Sequence, residues 1–72
     1  MAVTYVKLWK LLLDVNMKKT DLIDKAGISS NILAKLGKNE HVSMLSLEKI
    51  CKTLNCNIGD IVDFKFEEES RQ

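Results

Sequence analysis

Apolar residues in the first half of the chain recur at intervals of three and four. Tyr5, Leu8, Trp9, Leu12 and Val15 gather on one side of a helix over residues 5–15. Leu22, Ile23 and Ala26 repeat the pattern in a shorter helix over 19–26, opened at Thr20 or Lys18. Asp21 then stands in its first turn, where a negative charge meets the positive end of the peptide dipoles. Gly27 follows at the position where a left-handed residue ends a helix and glycine enters without steric penalty. Ser29 is the expected cap of a third helix, its hydroxyl accepting from a free amide of the next turn. In that helix Ile32, Leu33 and Leu36 face inward, while Ser30, Asn31, Ala34, Lys35 and the following Lys38 stay outside. Gly37 and Asn39 mark its end, and 38–43 is a polar loop. Leu47, Ile50, Cys51 and Leu54 then define a fourth helix with its cap expected at Ser46, and residues 57–62 make one further turn at most.

The period changes at both ends. Val62, Phe64 and Phe66 alternate with Asp63, Lys65 and Glu67, and residues 2–6 are rich in β-prone side chains, so each end is a candidate strand. The two can pair with each other within one chain or between two chains, and the pattern leaves both open. Residues 67–72 read as a polar, acidic, disordered tail behind a single domain over 1–66. The fold class is therefore all-α, four to five short helices with short terminal strands.

Composition narrows the function. A chain of 72 residues, 46% hydrophobic and without proline, suits several short packed helices in one domain. No apolar run nears the roughly 20 residues that span a bilayer, and Met1–Tyr5 lacks the charged-then-apolar layout of a signal peptide, so a cytoplasmic location is expected. Cys51, Cys56 and His41 fall short of a tetrahedral metal set. The two cysteines read as small core residues, since five positions of continuous helix would hold them too far apart for a disulfide. No metal, cofactor or small-molecule ligand is expected. The net charge of +1 conceals a split: residues 1–43 carry seven lysines against four acids, and the remainder four cations against six acids.

Two short helices joined through a tight glycine-containing turn, the second showing small polar groups at its start, form a helix-turn-helix. The residues that carry this, Leu22-Ile23-x-x-Ala26-Gly27-Ile28-Ser29 with Leu33 and Leu36, then Leu47-Glu48-x-Ile50-Cys51-x-x-Leu54-Asn55-Cys56-x-x-Gly59-Asp60-Ile61, resemble the XRE family of lambda-repressor-like and Cro-like transcriptional regulators. The resemblance implies a lambda-repressor-like domain that binds double-stranded DNA as a homodimer, with the third helix in the major groove and the helix before it across the backbone. It implies phosphate contacts at Ser29 and Ser30, base reading by Asn31 through its amide, and a base or phosphate contact by Lys35. Lys18, Lys19 and Lys38 are implied to flank the duplex backbone. Many members pair an arginine of the first helix with a glutamate after the recognition helix; the corresponding positions here are Leu12 and Gly37, which suggests an apolar replacement. A repressor is the expected activity.

Two rival readings stand beside this one. A protein-interaction or antitoxin-like module shares the same fold. An enzyme needs converging acid, base or nucleophile groups, and His41, Ser43 and Asp60 form no such set. Tyr5 and Trp9 sit at core spacing rather than in an open stacking platform.

Overall fold

The computed structural model describes residues 2–66; the segment 67–72, for which disorder is expected, lies outside the described residues. The chain runs β1 (Ala2–Thr4), α1 (Val6–Asp14), α2 (Asp21–Ala26), α3 (Ser30–Gly37), α4 (Met44–Leu54), a 3-10 turn at Ile58–Asp60, and β2 (Asp63–Lys65). β1 and β2 pair antiparallel within the one chain, with Ala2 opposite Lys65, Val3 opposite Phe64 and Thr4 opposite Asp63. Val3 points into the core, whereas Phe64 and Phe66 stay largely exposed.

Each helix and the final turn contributes one side chain with no exposed surface: Leu8, Leu22, Leu36, Ile50 and Ile61. These meet Tyr5, Leu12, Ile28 and Leu47 in one cluster, so α2 and α3 share a core with α1 and α4 rather than forming a separate unit. Burying a side chain of this size stabilises by about 1.5–3 kcal/mol, a large share of the stability of so small a domain.

Left-handed asparagines end three of the helices. Asn16, Asn39 and Asn55 have φ of 63°, 57° and 55°. After each, the next N–H returns to a carbonyl five residues back: Met17 to Leu12 at 2.9 Å, Glu40 to Lys35 at 2.9 Å, Cys56 to Cys51 at 3.0 Å. Asparagine suits the position because its short polar side chain tolerates the left-handed region, and the returning bond satisfies a carbonyl that the helix leaves open.

This geometry corrects two sequence expectations. Val15 lies beyond the end of α1 and is turned outward; Met17, folded back by the asparagine, packs on the core in its place. Cys51 and Cys56 are not separated by continuous helix, because α4 ends at Leu54 and the chain reverses at Asn55. Both thiols are free and half-buried at the edge of the core. Cys56 is pushed up to about 11, first by burial and then by the adjacent Cys51 thiol, so it stays protonated at neutral pH.

A third correction concerns α4. Its cap is Ser43, whose hydroxyl accepts from the Ser46 N–H at 3.1 Å, and Ser46 is a buried residue of the first turn with its own hydroxyl 3.0 Å from that of Ser43. The helix thus begins at Met44. Met44 and Leu45 face solvent, and this break in the inward periodicity hides the first turn from a pattern reading.

Two glycine substitutions should separate backbone from packing effects. A Cβ at Gly27 would meet nothing within 4 Å, yet φ there is +71°, so Gly27→Ala should destabilise by about 1 kcal/mol. Gly37 is helical and equally open, so Gly37→Ala should stabilise by about 0.5–1 kcal/mol. Urea unfolding midpoints of the two variants, read against the unsubstituted chain, check both signs.

Candidate nucleic-acid interface

Residues 27–29 set the direction of α3. Gly27 ends α2 in the left-handed conformation, φ 71° and ψ 31°. Ile28 then drops into the core, and Ser29 is extended at φ −83° and ψ 164° with its hydroxyl accepting from the Ile32 N–H at 3.2 Å. The expected turn and cap are both present. α2 is in turn held on α4 through Leu22 and Ala26, and the Thr53 hydroxyl donates to the Lys25 carbonyl at 3.1 Å, satisfying one open acceptor near its C-terminus.

The far end of α3 is tied as well. The Tyr5 hydroxyl donates to the Glu40 carbonyl at 2.7 Å across 35 positions of sequence. The phenol is buried, which raises its pKa, with the Val42 backbone acting in the opposite direction. A buried hydroxyl with this partner locates the loop after α3 relative to the start of α1. Entry and exit of α3 are therefore fixed by a buried side chain and by a long-range hydrogen bond.

Between those ties the helix sorts its side chains as its period demands. Leu36 is buried, Ile32 and Leu33 are half-buried, and Ser30, Asn31, Ala34, Lys35 and Lys38 are exposed. Asn31, Lys35 and Lys38, spaced by four and three residues, form one polar, basic stripe. Ser29 is exposed too, although its hydroxyl oxygen is engaged as the cap.

The remaining candidates open α2. Lys18 and Lys19 are both exposed. The Lys18 N–H donates to the Asp21 carboxylate at 2.9 Å, while Thr20, at the cap position, makes no side-chain cap hydrogen bond. Asp21 thus supports the start of α2 by reaching back, a role beyond its dipole. Lys19 is not a free surface lysine: its Nζ lies 4.4 Å from the centroid of the Trp9 ring. Sequence spacing assigned Trp9 to the core alone, and no local signal links residues ten positions apart across a turn.

At the two positions where the resemblance leads to a missing ion pair, Leu12 is buried and Gly37 faces open space. Leu12 belongs to the same buried apolar cluster as Leu8, Leu22 and Leu36. Among the described residues no group of three His, Cys, Asp or Glu side chains could hold a metal ion, and no helix is long and apolar enough to cross a membrane.

Comparison with known proteins agrees with this geometry. Residues 7–67 match the model of the Cro/C1-type HTH DNA-binding domain. The chain is 36% identical over 56 residues to YozG of Bacillus subtilis (strain 168), an uncharacterised HTH-type transcriptional regulator, covering 75% of this chain and 67% of that protein. Its fold superposes on the crystal structure of the transcriptional regulator VanUg with a TM-score of 0.87 and 52% identity, over 92% of this chain and 88% of the other. A helix-turn-helix whose second helix is pinned at both ends, matched in sequence and in structure by these proteins, places the chain in the Cro/C1-type (XRE) helix-turn-helix family of DNA-binding transcriptional regulators.

Proposed function

We propose that this protein reads a specific duplex sequence with the outer face of α3 in the major groove and represses transcription by occupying a promoter. It acts in the cytoplasm as a binding protein rather than an enzyme. The observation that supports this most is the exposed stripe Asn31, Lys35 and Lys38 on a helix fixed at both ends, because base reading requires donors and acceptors whose positions are set before the duplex arrives. Asn31 is the base reader, its amide matched to adenine. Lys35 takes a guanine edge or a phosphate, and Ser29, Ser30, Lys18, Lys19 and Lys38 position the backbone.

A pair of substitutions tests the division of labour. Asn31→Ala should weaken binding about 5- to 100-fold on a duplex with the preferred base at one position and leave unrelated duplexes unchanged. Lys38→Ala should weaken every duplex alike and reduce the magnitude of the log-log salt slope by about 0.9. The measurement is fluorescence anisotropy across a salt series. Uniform loss in Asn31→Ala would remove its reading role, and a salt-independent affinity in the parent protein would favour the interaction-module reading.

The proposal includes a homodimer, since palindromic sites present two half-sites roughly 34–36 Å apart. Support comes from exposed apolar side chains on one side of the domain. Met44 is 69% exposed and Phe64 51% exposed, and both line a cleft that adjoins a second one through Met44, Leu47 and Ile58. A second copy related by a two-fold axis would cover this face. Met44→Glu, exposed enough to spare the fold, should shift the protein to monomer in sedimentation equilibrium and weaken binding to a two-half-site duplex. An unchanged mass would remove this face from the dimer.

A further inference from the structure

Among the lysines beside α2 and α3, Lys19 stands out because its ammonium rests on an aromatic face. Its backbone is fixed on both sides: the Lys18 N–H is tied to the Asp21 carboxylate at 2.9 Å, and the Lys19 carbonyl accepts from the Leu22 N–H at 3.1 Å. Its Nζ lies over the face of Trp9, 4.4 Å from the ring centroid, within the range where the ring quadrupole attracts a cation. The ring does not wander either, since Trp9 is half-buried and packs against the core. Beside it is a cleft of about 320 Å³ lined by Leu12, Leu13 and Met17 together with Lys18 and Lys19. The chain between α1 and Lys18 is fixed by the Met17 N–H to Leu12 carbonyl bond at 2.9 Å.

A mobile lysine gives up rotamer freedom when it grips a phosphate, and that loss subtracts from affinity. A lysine already resting on an indole has lost much of it beforehand. The stack leaves the ammonium its N–H donors, because the ring face attracts the charge and leaves the other directions open to an anion. We propose that Trp9 is a positioning residue for DNA binding, holding the Lys19 ammonium at the start of α2 in the orientation in which it meets a backbone phosphate. This rests on the DNA-binding reading of the α2 and α3 surface and extends it to a residue that touches no nucleic acid. The effect carries no sequence information, since phosphates are alike at every step of the duplex.

A double-mutant cycle on the full chain tests it, with Trp9→Leu and Lys19→Met singly and together, and affinity measured on a preferred and an unrelated duplex over a salt series. Trp9→Leu should weaken both duplexes by the same factor, about two- to five-fold, while the salt slope keeps its magnitude because the phosphate contact is still made. Lys19→Met should weaken both duplexes and reduce the magnitude of that slope by about 0.9. In the Lys19→Met background Trp9→Leu should have no further effect, which a purely structural role would not give. Trp9→Phe, which keeps an aromatic face, should lie between parent and Trp9→Leu, and Lys19→Arg should recover most of the loss. Trp9 is the sole tryptophan, so a shift of its emission in Lys19→Met reports the stack directly and guards against misfolding of Trp9→Leu. Equal loss from Trp9→Leu in both backgrounds, or no loss in either, would overturn the positioning role while leaving DNA binding intact. A parent protein that binds neither duplex would remove both.

Discussion

Because Gly27 enters the left-handed region and Ile28 immediately plunges into the core, α3 cannot rotate about its own axis without expelling Ile28 or Leu36. That constraint decides which residues face outward: with Leu36 and half of Ile32 and Leu33 turned in, Ser30, Asn31, Lys35 and Lys38 have only solvent before them. A displaced Gly27 would hand the outer face to a different set of side chains. The outward face of α3 is thus a consequence of apolar burial on the opposite side of one short helix, with the Tyr5 to Glu40 bond keeping its far end from swinging.

The rest of the domain stabilises this arrangement by economical means. A chain with no proline still has to stop its helices, and among the described residues it does so with one glycine and three asparagines in the left-handed conformation. The returning hydrogen bonds after Asn16, Asn39 and Asn55 direct Met17, Glu40 and Cys56 to where each is used: a core contact, the carbonyl that Tyr5 grips, and a half-buried thiol. Helix termination and tertiary packing are therefore one device. The two terminal strands close the domain, and Lys7 reaches from α1 to the Gly59 carbonyl at 3.2 Å, joining the helical part to the turn that precedes β2.

Much of this was legible in the sequence wherever a periodic apolar pattern met an unambiguous punctuation residue. The sequence Ala26-Gly27-Ile28-Ser29 specifies both the end of α2 and the cap of α3, and the inward set of α3 follows from a spacing that only one helical face satisfies. Where local rules conflict, pattern reading failed. Ser43 and Ser46 are each competent caps, and an inward pattern that starts only at Leu47 points to Ser46, whereas the helix begins behind Ser43. Asn16 and Asn55 reverse the chain, but asparagine is less committed to the left-handed region than glycine, so periodicity alone puts Val15 on the inward side and does not bring Cys51 and Cys56 together. The Lys19 to Trp9 stack depends on how α1 and α2 pack, and nothing in the order of residues encodes it.

The proposed function requires the outer face of α3 to lie against the duplex. Its most direct measurement is a nitrogen-15 chemical-shift titration of the full chain with a duplex recovered by selection from a random pool. The largest perturbations are expected at the backbone amides of residues 29–38, the Asn31 side-chain amide and residues 18–19. Perturbations confined to the first turn of α4 and the β1–β2 pair, with α3 silent, would contradict it.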